Sequence, residues 1–267
     1  MQVSAIYIYP IKSIGGCSLP KSKITSRGLA FDRRFMLTTP DGKFMTQRTN
    51  RRMALLKTQL LNNTLLVWDS NFPVSKIEIP IQPQHFVKQQ EVTIWNDTCL
   101  GNVLHPHINQ WFSKRLGQAC QLVYMPEQSK RLLEEPYRKG EEVVSFADAY
   151  PVLLLGQSGM DRLNAKLDQP VSINRFRANI IFTGGQPFEE DKWKSFKIGK
   201  QLFRGVKPCK RCNVLNINQT TANIEKEPNR TLATFRKFEK GIYVGMNVCW
   251  EGKGRGSIQV GDKIVKN

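Results

Sequence analysis

Short runs rich in β-branched and aromatic residues, each closed by a turn signal, recur along most of this chain. IYIYP comes first, followed by DRRFMLTTPDGKFMTQR and LLKTQLLNNTLLVWD. Such runs read as strands. Pro40, Asp41, Gly42 and Lys43 sit between two alternating stretches and predict a hairpin turn, because Asp and Gly tolerate turn dihedrals. Asn62 and Asn63 mark a second hairpin. Helical spacing appears over residues 103–116, with Pro106 in the first turn, and again over 159–167. There Ser158 and Asp161 have the spacing of a capping box. From Ala178 the strand pattern returns in NIIFTG, FKIGKQLFRG, VLNIN, IYVGMNVCW and SIQVGDKIV. The fold class expected is mainly β with some helix, α+β, in a barrel-like architecture. A first module of residues 1–115 and a second of 116–267 are expected, the boundary lying between Ile94 and Lys130.

With 267 residues, 40% hydrophobic and 23% charged, the chain can bury a sizeable core and has no signature of disorder. Its 40 Lys and Arg against 22 Asp and Glu give a net charge of +18. That excess predicts an anionic partner without choosing among nucleic acid, membrane, phosphorylated ligand or acidic protein. The basic residues are scattered rather than gathered into an arm, and no nucleic-acid recognition motif is present, so nucleic acid is not an expected partner. The first residues alternate like a strand and lack the regions of a signal peptide. No apolar run approaches a membrane span. Six cysteines in so long a chain are no disulfide framework, and a reducing cytoplasm is the expected location.

The strongest local signal is KPCKRCN. Cys209 and Cys212 are flanked by Lys207, Lys210 and Arg211, and cationic neighbours favour a thiolate. A structural zinc site would want a second Cys or His pair, which the spacing does not offer. A redox dithiol wants the motif opening a helix, whereas VLNIN alternates like a strand. A lone thiolate ligand for a soft metal, with basic residues holding an anionic cofactor, remains open. So does a pair of cysteines at a strand end with no role. Lys12, Ser13, Arg34, Arg177 and Asn179, near strand ends, are together what a phosphate or pterin-like ligand asks of a protein. His105 and His107 read as a surface pair. GKGRGS leads into a strand and reads as a hairpin rather than a phosphate loop.

YPIKS (9–13), GLAFDRRFML (28–37), SFADAYPVLL (145–154), NRFRANIIFTGG (174–185), KPCKRC (207–212) and TLATFRKF (231–238) occur in the order seen in MOSC-domain proteins. VGMN and VGDKI follow. Over nearly its whole length the sequence resembles that family, in the branch of bacterial YcbX and the mitochondrial amidoxime-reducing component. The resemblance implies an N-terminal β-barrel packed on a MOSC β-barrel, with molybdenum cofactor (Mo-molybdopterin) between them. It makes Cys212 the molybdenum ligand and catalytic centre, with Cys209 a neighbour. Lys12, Ser13, Arg34, Arg177, Asn179, Lys210 and Arg211 match cofactor-holding positions. Ala149 and Tyr150 fall where the mitochondrial branch has Thr-Ser, so only backbone contacts carry over. Asn247 falls where that branch has tyrosine. A family-level association with pyridoxal phosphate binding comes with the same resemblance.

The activity implied is reduction of N-hydroxylated small molecules to amines or amidines, with a non-catalytic cofactor or sulfur carrier as the alternative. The chain stops at Lys266-Asn267, without the iron–sulfur domain some relatives carry, so electrons are expected from a separate ferredoxin-, flavodoxin- or flavin-reductase-type donor. The positive charge suits an acidic donor.

Overall fold

The computed structural model of the chain describes residues 1–239 and 241–266. Its largest sheet runs Ile264–Lys266, Ser195–Ile198, Gln201–Arg211, Gly241–Trp250, Val152–Gly156, Ile180–Thr183, Gln2–Ile8 and Cys17–Leu19 in spatial order. Lys237–Phe238 pairs onto Gly241–Trp250. The one parallel pair along this path joins Val152–Gly156 to Ile180–Thr183, and the helix Gln157–Asn164 lies in its crossover. A bridge between Gln2 and Lys263, with Val3 N–H donating to the Asp262 carbonyl at 2.9 Å, closes the sheet into a barrel. Closure satisfies the backbone groups that an open edge would expose.

A smaller barrel is built from Phe35–Thr38, Gln121–Tyr124, Asp97–Val103 and Lys88–Ile94, all antiparallel. The turn at Pro40–Lys43 forms as expected, with Gly42 at φ 86° and its N–H on the Thr39 carbonyl. Bridges from Lys43 to Thr93 and from Phe44 to Thr38 complete the circuit. Two three-stranded sheets flank the barrels: Leu56–Leu61, Thr64–Asp69 and Phe72–Pro80, and Gly256–Gln259, Lys21–Thr25 and Gly28–Leu29. The Asn62-Asn63 hairpin joins the first two strands of the former, Asn62 taking φ 51°.

Burial explains why these residues form these strands. Ile6, Ile8, Phe182, Phe196, Phe203 and Val248 fill the larger barrel. In Gln2–Ile8 the register shifts between Val3 and Ala5. That shift changes the phase of the alternation, so Val3, Ile6 and Ile8 share one core while Ala5 and Tyr7 pack on a second. The second core, with Met160, Leu163, Phe176 and Leu215, lies under Gln157–Asn164.

Several local expectations are corrected. The helix begins at Gln157 after Gly156, and no side chain caps it. The Ser158 hydroxyl is buried without a partner, and Asp161 accepts from the Gln157 amide instead. VLNIN is not a strand: residues Asn213–Asn216 form a 3₁₀ turn that buries Leu215. SIQVGDKIV is two strands, broken where Gly261 takes φ 91°, and they belong to different sheets. GKGRGS is no hairpin; it carries the chain from Gly241–Trp250 to Gly256–Gln259, which pairs with Lys21–Thr25.

Glu190 lies beside the end of the preceding strand, is fully buried, and accepts the N–H of its last residue, Gly156, at 3.1 Å. Its other carboxyl oxygen has no partner among the described residues. Burial pushes the Glu190 carboxyl up to about 7. A raised folded-state value means the stability it contributes is present below the unfolded value of about 4.5 and is lost as pH rises through 7. Glu190→Gln is therefore expected to match the parent protein near pH 4.5 and to exceed it by roughly 3 kcal/mol above pH 7. Urea unfolding at both pH values checks this, and a difference that does not change with pH would contradict it.

Candidate functional site

The strand Gln201–Arg211 pairs with Gly241–Trp250, but its register slips between Gly205 and Lys207 and again between Pro208 and Lys210. Gly205 N–H donates to the Lys194 carbonyl at 3.0 Å, and a Cβ there would run into the Trp193 carbonyl oxygen. Pro208 has no N–H for a ladder, which an irregular stretch tolerates. A regular strand would send alternate side chains to opposite faces. These bulges instead turn Lys207, Cys209, Lys210 and Arg211, with Cys212 beyond the strand end, toward one cleft of about 330 Å³.

Parts distant in sequence complete that cleft: Lys12 and Ser13 after the first strand, Arg33, residues 46–48, residues 147–150, the turn at 175–179, and Asn247. Eight cations line it (Lys12, Arg33, Arg48, Arg175, Arg177, Lys207, Lys210 and Arg211) against one carboxylate, Asp148. So lopsided a wall selects an anion.

The cations are held in different ways. Lys12 is buried, donating to the Phe146 carbonyl at 2.9 Å and to Asp148 Oδ1 at 2.5 Å, and burial draws its ammonium down against the pull of Asp148. Burial would raise the Asp148 carboxyl, but Lys12, the Trp95 N–H and the charge of Arg48 hold it well below the usual carboxylate range. Arg33 and Arg177 both stand 4.4 Å from the ring centre of Tyr9. Arg33 pairs with buried Asp32 and donates to the Arg177 carbonyl at 3.1 Å, while Arg177 donates to the Ile14 carbonyl at 2.8 Å. Burial, with Arg33 beside it, lowers Arg177 to about 10, and burial lifts the Tyr9 hydroxyl to about 12. Arg175 pairs with Glu225 at 2.7 Å. Lys207 pairs with Glu134, whose same oxygen accepts from the Tyr150 hydroxyl at 2.7 Å. Burial and then Glu134 raise the Tyr150 hydroxyl. Arg211 donates to Cys209 Sγ at 3.2 Å and to the Phe176 carbonyl at 2.6 Å. The side chains of Lys210 and Arg48 make no hydrogen bond among the described residues.

Of the residues singled out in the sequence, Lys12, Ser13, Ala149, Tyr150, Arg177, Asn179, Lys210, Arg211, Cys212 and Asn247 all line this cleft, with Cys209. Arg34 does not. Its guanidinium turns away to the Met125 carbonyl and to Glu127, each at 2.7 Å, and the neighbouring Arg33 stands in the cleft. Asn179 is buried with its amide already used, bonding Tyr7 and Leu153 and so tying two barrel strands together. Asn247 donates to the Lys207 carbonyl at 3.2 Å, bracing the bulged strand. Ser13 has φ 65°, and its carbonyl accepts from Gln47. Gln47 and Arg48 were not marked by any sequence pattern, while Arg33, Asp148 and Arg175 fall inside the quoted strings without having been singled out as site residues. Cys212 is exposed, and its sulfur has no partner among the described residues. No group of three or more His, Cys, Asp and Glu among the described residues could hold a metal. A metal at Cys212 would take its other donors from a cofactor.

The molecule is thus a two-barrel protein with a cation-lined cleft and an exposed cysteine at its wall. A family model for the MOSC N-terminal beta barrel domain matches residues 1–119, and one for the MOSC domain matches residues 141–265. The chain belongs to the MOSC-domain proteins. It is 28% identical to mitochondrial amidoxime-reducing component 1 of Xenopus laevis, over 99% of this chain and 81% of that one. It is 30% identical to molybdenum cofactor sulfurase of Arabidopsis thaliana and 27% identical to that of Oryza sativa subsp. japonica, over 94% of this chain in both cases. The chain spans about a third of those two sulfurases, 34% and 33% of their lengths. No described helix is long and apolar enough to cross a membrane.

Proposed function

We propose that the cleft binds molybdenum cofactor, that Cys212 is its thiolate ligand, and that the protein reduces N-hydroxylated compounds to amines or amidines. The observation that carries this reading is the sharing of one cleft by eight cations and an exposed cysteine whose sulfur has no partner among the described residues. The fit is chemical. A thiolate is a soft donor suited to molybdenum beside dithiolene sulfurs, and a phosphate-bearing pterin needs the charge that Lys12, Arg33, Arg177, Lys210 and Arg211 present. When bound, such a cofactor supplies the two-electron cleavage of the N–O bond, R–NH–OH + 2e⁻ + 2H⁺ → R–NH₂ + H₂O. Pyridoxal phosphate has no part in this reading.

The chain's own residues do the rest. Lys12, fixed by Asp148 and the Phe146 carbonyl, presents a positioned ammonium. Arg33 and Arg177, seated on Tyr9, hold two guanidinium charges at fixed positions in the cleft. Lys207 Nζ, tied to half-exposed Glu134, adds a positioned cation to the cleft wall.

Electrons would come from a separate acidic protein docking on the basic surface. Benzamidoxime reduction tests both statements. Dithionite-driven turnover should be nearly indifferent to salt, and turnover driven by an acidic donor should fall about tenfold as screening sets in. Equal salt responses would contradict the docking. The sulfurase relatives favour a second reading, a cofactor or sulfur carrier without turnover. Molybdenum-loaded protein that fails to reduce benzamidoxime with dithionite would select it.

A further inference from the structure

Lys88–Ile94 and Asp97–Val103 are joined by two residues, Trp95 and Asn96, since Ile94 pairs with Asp97. The first of them, Trp95, has φ 54°. Hairpins of this kind place glycine where φ is positive, and a bulky aromatic residue there is strained. The strained residue is held on several sides. Phe44 packs against its ring with centres 5.0 Å apart, and its Nε1–H donates to Asp148 Oδ1 at 3.2 Å, the oxygen that also takes Lys12. The Arg48 guanidinium lies over the indole at 4.3 Å. Arg48 is exposed, lines the cleft, and makes no side-chain hydrogen bond among the described residues, so its N–H groups are spare. An unanchored arginine side chain loses much conformational freedom on binding; one already lying flat on an aromatic ring loses less.

We infer that Arg48, laid on Trp95, is a clamp for the anionic group that enters the cleft, and that Trp95 occupies a glycine-type turn position in order to aim it. The clamp acts from the loop that follows Phe44, a part of the cleft wall distant in sequence from Cys212. Trp95 has a second effect: with Lys12 it occupies Asp148 Oδ1, screening the one carboxylate that would repel an anion. Arg48 is thus a binding residue and Trp95 a positioning residue. The inference rests on the reading that the cleft takes an anionic ligand.

The experiment uses the full chain, purified with and without molybdenum cofactor, and inorganic pyrophosphate as the probe. Arg48→Gln should bind pyrophosphate about tenfold more weakly by calorimetry at low salt, the loss expected of one charge-assisted contact. Arg51→Gln removes the same charge from an exposed residue outside the cleft and should bind as the parent does. Trp95→Gly gives the turn its preferred residue, so the fold should survive; its affinity should fall by a smaller factor because Arg48 keeps its charge but loses its platform. Arg48→Gln binding as tightly as Arg51→Gln would overturn the clamp, as would full affinity in Trp95→Gly for the aiming role. Molybdenum content read on the cofactor-loaded proteins keeps the two ideas apart. Weakened pyrophosphate binding in a protein that never holds molybdenum leaves the clamp standing and removes the cofactor reading. Molybdenum held with pyrophosphate affinity unchanged does the reverse.

Discussion

Cys212→Ser is expected to purify as a folded protein, to lose its molybdenum, and to lose reduction of N-hydroxylated substrate by more than about a hundredfold. The fold should survive because Cys212 is exposed and its sulfur makes no bond among the described residues; the backbone carbonyl, which accepts from Leu215 N–H and the Asn229 amide, is untouched. Substitutions at such positions usually change stability by less than about 0.5 kcal/mol. Losing even an outer partner of a metal ligand costs about ten- to a hundredfold in affinity or activity, so losing the protein's own ligand should cost more. Cys209→Ser is the control. Cys209 is half-buried with its sulfur on Arg211, and its loss should leave molybdenum bound. The assignment fails if Cys212→Ser keeps its activity and Cys209→Ser loses it.

Asp32→Asn is expected to destabilise the fold by roughly 3 kcal/mol, the largest loss foreseen from a single charge. Asp32 is almost fully buried, accepts the Tyr9 N–H at 2.7 Å and pairs with Arg33. Asparagine keeps an acceptor for the Tyr9 N–H and removes the charge that offsets two neighbouring guanidiniums, those of Arg33 and Arg177. Burial alone would penalise the carboxylate, and it does push the Asp32 carboxyl up despite Arg33. The prediction rests on what is left behind: a largely enclosed arginine, its side chain 13% exposed, without its counterion costs more than the pair does. Combining Asp32→Asn with Arg33→Met should recover part of the loss. Denaturant unfolding of the two single variants and the double decides it, strict additivity being the contradicting result.

How far the site could be read from residues alone depends on what each residue's role required. The strand runs and the Asn62 and Gly42 turns were legible because alternation and turn chemistry are local. Cys212 with Lys210 and Arg211 was legible for the same reason, being contiguous. Arg34 points away from the cleft that Arg33 lines because adjacent residues face opposite ways, and the two arginines differ only in phase. Arg33 has φ 49°, just outside the strand Phe35–Thr38, and no pattern announces that backbone. Ser158 and Asp161 met the spacing of a capping box, yet neither caps the helix, and the nearby Gly156 N–H goes to Glu190, some thirty residues on. A distant buried carboxylate leaves no mark near the N–H it serves.

Arg48 and Asp148 were invisible for another reason. One sits on a loop of the smaller barrel and the other in the segment 145–150, and only closure of both barrels brings them to one rim. VLNIN failed on length: five alternating residues do not separate a strand from a 3₁₀ turn that buries a single leucine, Leu215. The bulges in Gln201–Arg211 mattered most, since a regular strand would have sent alternate side chains away from the cleft. Pro208, which has no N–H for a ladder, is the local sign of them in the sequence.

The central claim is that Cys212 holds molybdenum, and elemental analysis tests it most directly. Protein from a host that makes the cofactor should contain molybdenum at close to one atom per chain, and the Cys212→Ala variant from the same host should contain almost none. Zinc in place of molybdenum, or equal molybdenum in both proteins, would contradict it.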